Sequence, residues 1–127
     1  SSSSHMFLDS WMEKTSEYVY TLDLPLSNTY VAAALHDKLP KNSTVNFAIL
    51  NSLRNWNLFP IDASIKCFAN VAAFGIDGCT SMLIGESVLS DELHFLITGD
   101  LAFFYDLNSL GIRHIKNNVR ILIINNI

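Results

Sequence analysis

Two short apolar runs in the last third of the chain constrain its fold more than any other feature. Phe95-Leu96-Ile97-Thr98 and Ile121-Leu122-Ile123-Ile124 carry the large, partly β-branched side chains that fill a strand buried on both faces. The segment between them is long enough to hold the helix that a parallel crossover requires. The two runs are therefore predicted to be parallel strands inside a sheet that is covered on both sides.

The same alternation of strand, polar turn and helix precedes these runs. A strand is predicted over residues 44–50, a helix over residues 53–59 and a second strand over residues 65–69, with Pro60 ending the helix. A further helix passes through residues 82–84. Strands that alternate with helices predict the α/β class, here a three-layer, Rossmann-like open parallel sheet with helices on both faces.

The N-terminal part of the chain has a different character. Residues 1–6 are interpreted as an expression-tag remnant, which leaves one domain over residues 7–127. Apolar residues recur at helical spacing over residues 7–18, which predicts an amphipathic helix. A second helix is predicted to begin at a cap formed by Ser27 or Asn28 and to continue to Leu35.

Composition excludes several classes of function. The net charge of −4 and the lack of a lysine- or arginine-rich patch argue against nucleic-acid binding. No apolar run reaches the roughly 20 residues that a membrane-spanning helix needs, so no membrane association is expected. Cys67 and Cys79 lack the spacing of a zinc or redox motif, which indicates reduced thiols in buried packing roles and a cytoplasmic location.

Polar residues directly follow the two apolar runs over residues 95–98 and 121–124. Gly99-Asp100 comes directly after the first and Asn125-Asn126 directly after the second. The carboxyl ends of parallel strands form the edge where open α/β sheets bind ligands, and a helix that opens after Asp100 points its free N–H groups toward an anion. A carboxylate and a carboxamide at this edge favour a site for a magnesium-bound diphosphate.

Gly99-Asp100 and Asn125-Asn126 are similar to the thiamine-diphosphate motif of the transketolase and pyruvate-decarboxylase superfamily, although Leu101 stands where that motif usually has a third glycine. The stretch from Gly99 to Asn108 resembles the family of 2-succinyl-5-enolpyruvyl-6-hydroxy-3-cyclohexene-1-carboxylate synthases, enzymes of menaquinone biosynthesis. Two further segments resemble the same family, namely Asn51-Ser52-Leu53 and the loop from Asn70 to Gly78.

The resemblance implies the following site. Asp100 and Asn126 would coordinate Mg²⁺ through side-chain oxygens, and the backbone amides near Leu101 and Ala102 would hold the diphosphate. Ile76 would support the bent form of the cofactor, whose carbanion chemistry is its own, and Ser52 matches a polar active-site position. The implied cofactor-binding residues are Ser52, Gly75, Ile76, Gly99, Asp100, Leu101, Ala102 and Asn126.

Two positions depart from the family pattern. Trp56 and Val71 stand where the synthases have arginines that hold substrate carboxylates, and neither side chain can replace a guanidinium fork. Arg54 lies close to the first position, but on a helix it would point in a different direction. The resemblance therefore implies a related enzyme that acts on another 2-oxo acid, by decarboxylation with transfer or release of an aldehyde unit.

The chain is also expected to be a fragment of such an enzyme, truncated at its C-terminus. It contains no match to the family's pyrimidine-binding domain, so alone it is not expected to have activity or catalytic residues, and a homo-oligomeric parent enzyme is expected. The alternative is a noncatalytic α/β self-association module, or the remnant of a truncated gene. Smaller expectations are that Trp56 is a packing residue, that Asp77 caps a helix, that Asp106 orients a neighbouring group and that Phe103, Phe104 and Tyr105 belong to the core.

Overall fold

The structure is a computed structural model that describes residues 2–16, 23–71 and 75–125. Strands and helices alternate along most of this length. The elements are α1 (Ser2–Ser16), α2 (Asn28–Leu35), β1 (Thr44–Phe47), α3 (Asn51–Trp56), β2 (Lys66–Ala69), α4 (Cys79–Val88), β3 (His94–Gly99), α5 (Asp100–Tyr105), a 3-10 helix (Leu107–Gly111) and β4 (Val119–Ile124).

The four strands form one parallel sheet in the order β2-β1-β3-β4. The chain first moves from β1 outward to β2, and then returns to the other side of β1 to form β3 and β4. The strand order therefore reverses between β1 and β3. In open α/β sheets a crevice forms at such a reversal, outside the carboxyl ends of the two strands, and this crevice is the usual ligand site.

Each face of the sheet carries its own apolar cluster. On one face Val45, Phe47 and Ile97 pack with Ala32 of α2 and Trp56 of α3. On the other face, Leu96 packs with residues of α4 and α5, as the alternation of side chains along a strand requires. The second cluster consists of Ala48, Cys79, Leu83, Leu96 and Ala102. The predicted three-layer α/β architecture is confirmed.

Several element boundaries differ from the prediction. The strand predicted over residues 44–50 ends at Phe47, and the predicted stretch includes Leu50, whose positive φ of 65° is incompatible with a strand. The following helix begins at Asn51 rather than at Leu53 and ends at Trp56. Ser27 is confirmed as the cap of α2, since its hydroxyl oxygen accepts a hydrogen bond from the Tyr30 N–H at 3.2 Å.

Two expectations about packing are wrong. Phe104 and Tyr105 are 64% and 68% exposed, although Ala102 on the same six-residue helix is buried. Cys67 is exposed on the edge strand β2, whereas Cys79 is buried as predicted. Neither cysteine forms a disulfide.

The predicted N-terminal helix is present as α1, although its predicted end at Tyr18 lies outside the described residues. Phe7 and Trp11 on this helix are both more than half exposed. None of the helices in the described ranges has the length and apolar character needed to cross a membrane.

Candidate functional site

The turn from β3 into α5 is the centre of the candidate site. Gly99 is extended (φ −78°, ψ 163°), and Asp100 begins the helix directly after it. The main-chain N–H of Leu101 donates to Asp100 Oδ1 at 2.8 Å. A Cβ added to Gly99 would meet no protein atom within 4 Å, so neither its conformation nor the protein's packing requires glycine there. The missing side chain leaves open space in front of the strand end.

The C-terminal end of β4 lies beside this turn, and the polar residue Asn125 follows it. Gly99 is paired with Ile124, so Asp100 and Asn125 follow the last paired residues of adjacent strands. The predicted metal ligand Asn126 lies outside the described residues. Within the described ranges, no group of three or more His, Cys, Asp or Glu side chains has the arrangement of a metal site. The pairing of Asp100 with Asn126 in a metal site therefore stays a prediction.

The turn from β1 into α3 lies on the other side of the strand-order reversal. The Ala48 N–H donates to the Ile97 carbonyl at 2.9 Å, which ties this turn to β3. Leu50 then turns the chain with φ 65° and ψ −120°, a combination that only glycine adopts readily. Ser52 follows in the first turn of α3 and is buried at 6% exposure. The structure thus places Ser52 and Asp100 on elements that follow adjacent strands.

The loop before α4 contributes the next predicted residues. Ile76 is partly buried and packs on the cluster that contains Ala48 and Ala102, so it lies beside the ends of β1 and β3. Gly78 has a φ of 78°, which explains glycine at this position. A Cβ on Gly75 would lie 2.2 Å from Asp77 Oδ1, so any larger residue would displace the Asp77 side chain.

The start of α4 is held by a residue from beyond α5. Gly78 occupies the cap position without a side-chain hydrogen bond, so the prediction that Asp77 caps this helix is wrong. Instead, Asp106 Oδ2 accepts hydrogen bonds from the Ser81 main-chain N–H at 2.7 Å and from Ser81 Oγ at 3.0 Å. The expectation that Asp106 orients a neighbour is confirmed. The clamp links the loop that carries Ile76 to the helix that carries Asp100.

The carboxylates of Asp77 and Asp106 also affect the buried thiol of Cys79. Burial raises the pKa of Cys79 at the start of α4, and the negative charges of Asp106 and Asp77 raise this pKa further. Cys79 is therefore held as a neutral thiol, and this environment is the opposite of the electropositive surroundings that activate a catalytic cysteine.

The two positions that depart from the family pattern differ in burial. Trp56 is 1% exposed, and its ring lies 5.7 Å from that of Phe47, which confirms its predicted packing role. Val71 is 45% exposed and offers no polar group. Arg54, which lies two residues before Trp56 in α3, is exposed.

Comparison with known proteins identifies close relatives of this segment. No protein-family model matches the chain. A 2-succinyl-5-enolpyruvyl-6-hydroxy-3-cyclohexene-1-carboxylate synthase of Christiangramia forsetii is 41% identical over 107 residues, which cover 84% of this chain and 18% of that protein. Proteins with the same name from Flavobacterium psychrophilum and Bacteroides fragilis are 37% and 34% identical, over 90% and 82% of this chain and over 20% and 19% of their own lengths. The chain thus spans about a fifth of these relatives.

Proposed function

We propose that this chain, which belongs to the family of the 2-succinyl-5-enolpyruvyl-6-hydroxy-3-cyclohexene-1-carboxylate synthases, supplies the diphosphate-binding part of a thiamine-diphosphate- and Mg²⁺-dependent enzyme. One observation carries the proposal. Asp100 and the open space beside Gly99 lie where the strand order reverses, within the segment that matches the relatives. This is the crevice in which open α/β sheets hold phosphates.

The donor groups present fit such a cofactor. One carboxylate oxygen of Asp100 accepts a hydrogen bond from the Leu101 N–H. The second oxygen has no hydrogen-bond partner among the described residues. A free carboxylate oxygen is a ligand that Mg²⁺ prefers. A Cβ on Gly99 would meet no protein atom outside its chain neighbours, so the strand end is open to a bulky anion. Asn126, the residue after Asn125 in the sequence, is proposed as the second protein ligand.

The other residues of the site have supporting roles. When bound, thiamine diphosphate supplies the carbanion chemistry that decarboxylates a 2-oxo acid. Ile76 presents an apolar side chain beside the ends of β1 and β3, where it would support the cofactor's ring system. The main-chain amides near Leu101 and Ala102 would bind the diphosphate, and Ser52 would offer a hydroxyl from the facing turn.

The substrate is proposed to differ from that of the synthases. Trp56 is packed in the core and Val71 has an aliphatic side chain, so neither position offers the substrate a positive charge. We therefore infer a different 2-oxo acid, which the whole enzyme decarboxylates with transfer or release of an aldehyde unit. A pyrimidine-binding domain outside this chain, a homo-oligomeric assembly and a cytoplasmic location complete the proposal.

A specific surface favours the alternative of a noncatalytic self-association module. Large apolar side chains are exposed along α5 and the 3-10 helix after it, and an exposed apolar patch is a feature of interaction surfaces. These side chains are Leu101, Phe104, Tyr105, Leu107 and Leu110, with exposures from 42% to 68%. A noncatalytic module would associate through this patch without binding the cofactor.

Titration calorimetry with thiamine diphosphate and Mg²⁺ tests the proposal. We expect saturable binding that requires Mg²⁺ and is lost in Asp100→Asn, because this change removes the charge and keeps the side-chain shape. The matched control is Asp91→Asn, since the Asp91 side chain is 99% exposed on the loop before β3, at the opposite edge of the sheet. A folded chain that gives no heat, or an Asp100→Asn variant that binds normally, would contradict the proposal.

A further inference from the structure

A cavity lies on the face of the sheet that carries α2 and α3, apart from the crevice at the strand ends. Its volume is about 410 Å³, and its walls are largely apolar, with Leu35, Leu39, Trp56 and Phe95 among them. Phe95 and Arg120 line it from the first half of β3 and of β4, whereas Gly99 and Ile124 end those strands. The cavity is therefore separate from the proposed cofactor site, and its occupancy does not depend on that proposal.

The buried ring of Trp56 forms part of the cavity wall. Trp56 lines this cavity and a neighbouring one, and its indole N–H is buried with no partner among the described residues. A buried donor normally finds an acceptor, because leaving it unpaired costs free energy. Because this N–H is itself closed off from the cavity, Trp56 serves as a reporter of a ligand that enters the cavity and not as its hydrogen-bonding partner.

Two cationic side chains complete the lining. Arg120 Nη1 donates to the main-chain carbonyls of Asn117 at 2.7 Å and Val119 at 2.8 Å, and these bonds fix the guanidinium plane. Its Nε and Nη2 groups have no hydrogen-bond partner within the described ranges, and together they form one edge of the fork that binds a carboxylate. Among the described residues, the Lys38 ammonium group contacts only Asp37, in an exposed ion pair that contributes little stability and can rearrange.

We propose that this cavity binds a small amphipathic carboxylate. Its hydrocarbon body lies among Leu35, Leu39 and Phe95, and its carboxylate meets Arg120, with Lys38 as a second cation. The volume is within the range of small-molecule sites, and an apolar chamber with few polar groups is their usual composition. Nothing in the proposed cofactor chemistry uses Arg120 or this cavity.

Decanoate is a suitable probe, and the chain contains a natural internal control. It has two tryptophans, so two indole N–H signals appear in a nitrogen-15 correlation spectrum. Trp11 is 55% exposed on α1, whereas Trp56 is 1% exposed in the cavity wall. We expect decanoate, titrated well below its micelle concentration, to shift the Trp56 signal saturably and to leave the Trp11 signal in place.

Substitutions separate the charge from the apolar part of the site. Arg120→Gln should weaken decanoate binding at least about tenfold, since a hydrogen bond to a charged group is lost. Arg113→Gln, at an exposed arginine that does not line the cavity, should bind like the parent chain. Decanol should bind more weakly than decanoate. Leu39→Phe, which fills part of the cavity, should also weaken binding, and thermal unfolding of each variant confirms that it is folded.

Three results would overturn the proposal. The first is the absence of a saturable Trp56 shift in the folded parent chain. The second is an equal shift of both indole signals, which would indicate a detergent-like effect. The third is equal weakening by Arg120→Gln and Arg113→Gln.

Discussion

Asp106 accepts two hydrogen bonds from Ser81, one from the main-chain N–H at 2.7 Å and one from the hydroxyl at 3.0 Å. The two residues lie in different parts of the chain, since Ser81 is in the first turn of α4 and Asp106 follows α5. A carboxylate at a helix N-terminus satisfies an otherwise unpaired N–H and interacts favourably with the helix dipole. The contact therefore stabilises α4 and also fixes α5, and with it Asp100, relative to the loop that carries Ile76.

Removal of this clamp should destabilise the chain. Asp106→Ala is expected to lower the free energy of unfolding by about 1–2 kcal/mol, the usual cost of a lost helix cap. Asp106→Asn should cost less, because an amide oxygen can still accept from Ser81. Urea denaturation provides the measurement, with Asp9→Ala on the exposed helix α1 as the control. Equal stability of Asp106→Ala and the parent chain would show that the clamp is not energetically significant.

The same substitution should change the titration of Cys79. Burial is the main cause of its raised pKa, and the Asp106 charge adds to it, so Asp106→Asn should move the Cys79 pKa down toward its ordinary value. Thiolate absorbance measured against pH gives the pKa directly, in a Cys67→Ser background that leaves Cys79 as the only thiol. An unchanged Cys79 pKa would mean that the Asp106 charge does not reach the sulfur.

The sign of the linked stability effect follows from the raised pKa. The folded chain keeps the Cys79 proton to higher pH than the unfolded chain, whose thiol titrates near the ordinary value of 9.0. The contribution to stability is therefore fully present below that value and is lost as the pH rises toward the folded pKa. Replacing Cys79 with Ala should reduce this alkaline loss, which unfolding measured at a series of pH values above 8 would detect.

The sequence was sufficient to predict the strands and the edge of the sheet that carries the site. Runs such as Ile121-Leu122-Ile123-Ile124 give a strong signal because a strand buried on both faces leaves little room for polar residues. The position of Asp100 after β3 followed directly from that signal. The Asp106–Ser81 clamp was harder to predict, because its partners are 25 residues apart and only the packing of α4 against α5 brings them together.

The packing of individual aromatic residues was predicted less well. Phe104 and Tyr105 have core-type side chains, but α5 has only six residues and presents mainly Ala102 to the sheet. Such a short helix has too few residues for its periodicity to show which face is buried. The end of β1 was also missed, since the positive φ of Leu50 is imposed by the connection to α3 and leaves no trace in residue type.

Leu50 offers a stabilising substitution. Its φ of 65° and ψ of −120° are unfavourable for a side chain with a Cβ atom, and the side chain is 49% exposed. Leu50→Gly should raise the free energy of unfolding by about 1 kcal/mol, because relief of backbone strain exceeds the entropy that glycine gains in the unfolded chain. Leu58→Gly is the matched control, since Leu58 is similarly exposed at 44% and is not among the residues with positive φ, and it should destabilise the chain. Parallel thermal unfolding of both variants provides the comparison, and a destabilised Leu50→Gly would show that its side-chain contacts outweigh the strain.

Asn118 holds the loop that connects α4 to β3. Its Nδ2 group donates toward the main-chain carbonyls of Ser87 at 3.2 Å, Ser90 at 3.0 Å and Glu92 at 2.9 Å, and the residue is 7% exposed. Asn118→Ala should lower the free energy of unfolding by about 2–3 kcal/mol, because buried carbonyls lose their donor.

Asn118→Asp should destabilise the chain more than Asn118→Ala does, since it places a carboxylate among three carbonyl oxygens and removes the donor at the same time. Asn117→Ala, at the exposed neighbouring position, is the control and should be close to neutral. Hydrogen exchange at the amide of His94, which donates to the Asn118 carbonyl at 2.9 Å, should accelerate in both Asn118 variants. If the His94 amide kept its protection in Asn118→Asp, the loop would have to be held by its other contacts, such as the 3.1 Å ion pair between Lys116 and Asp91.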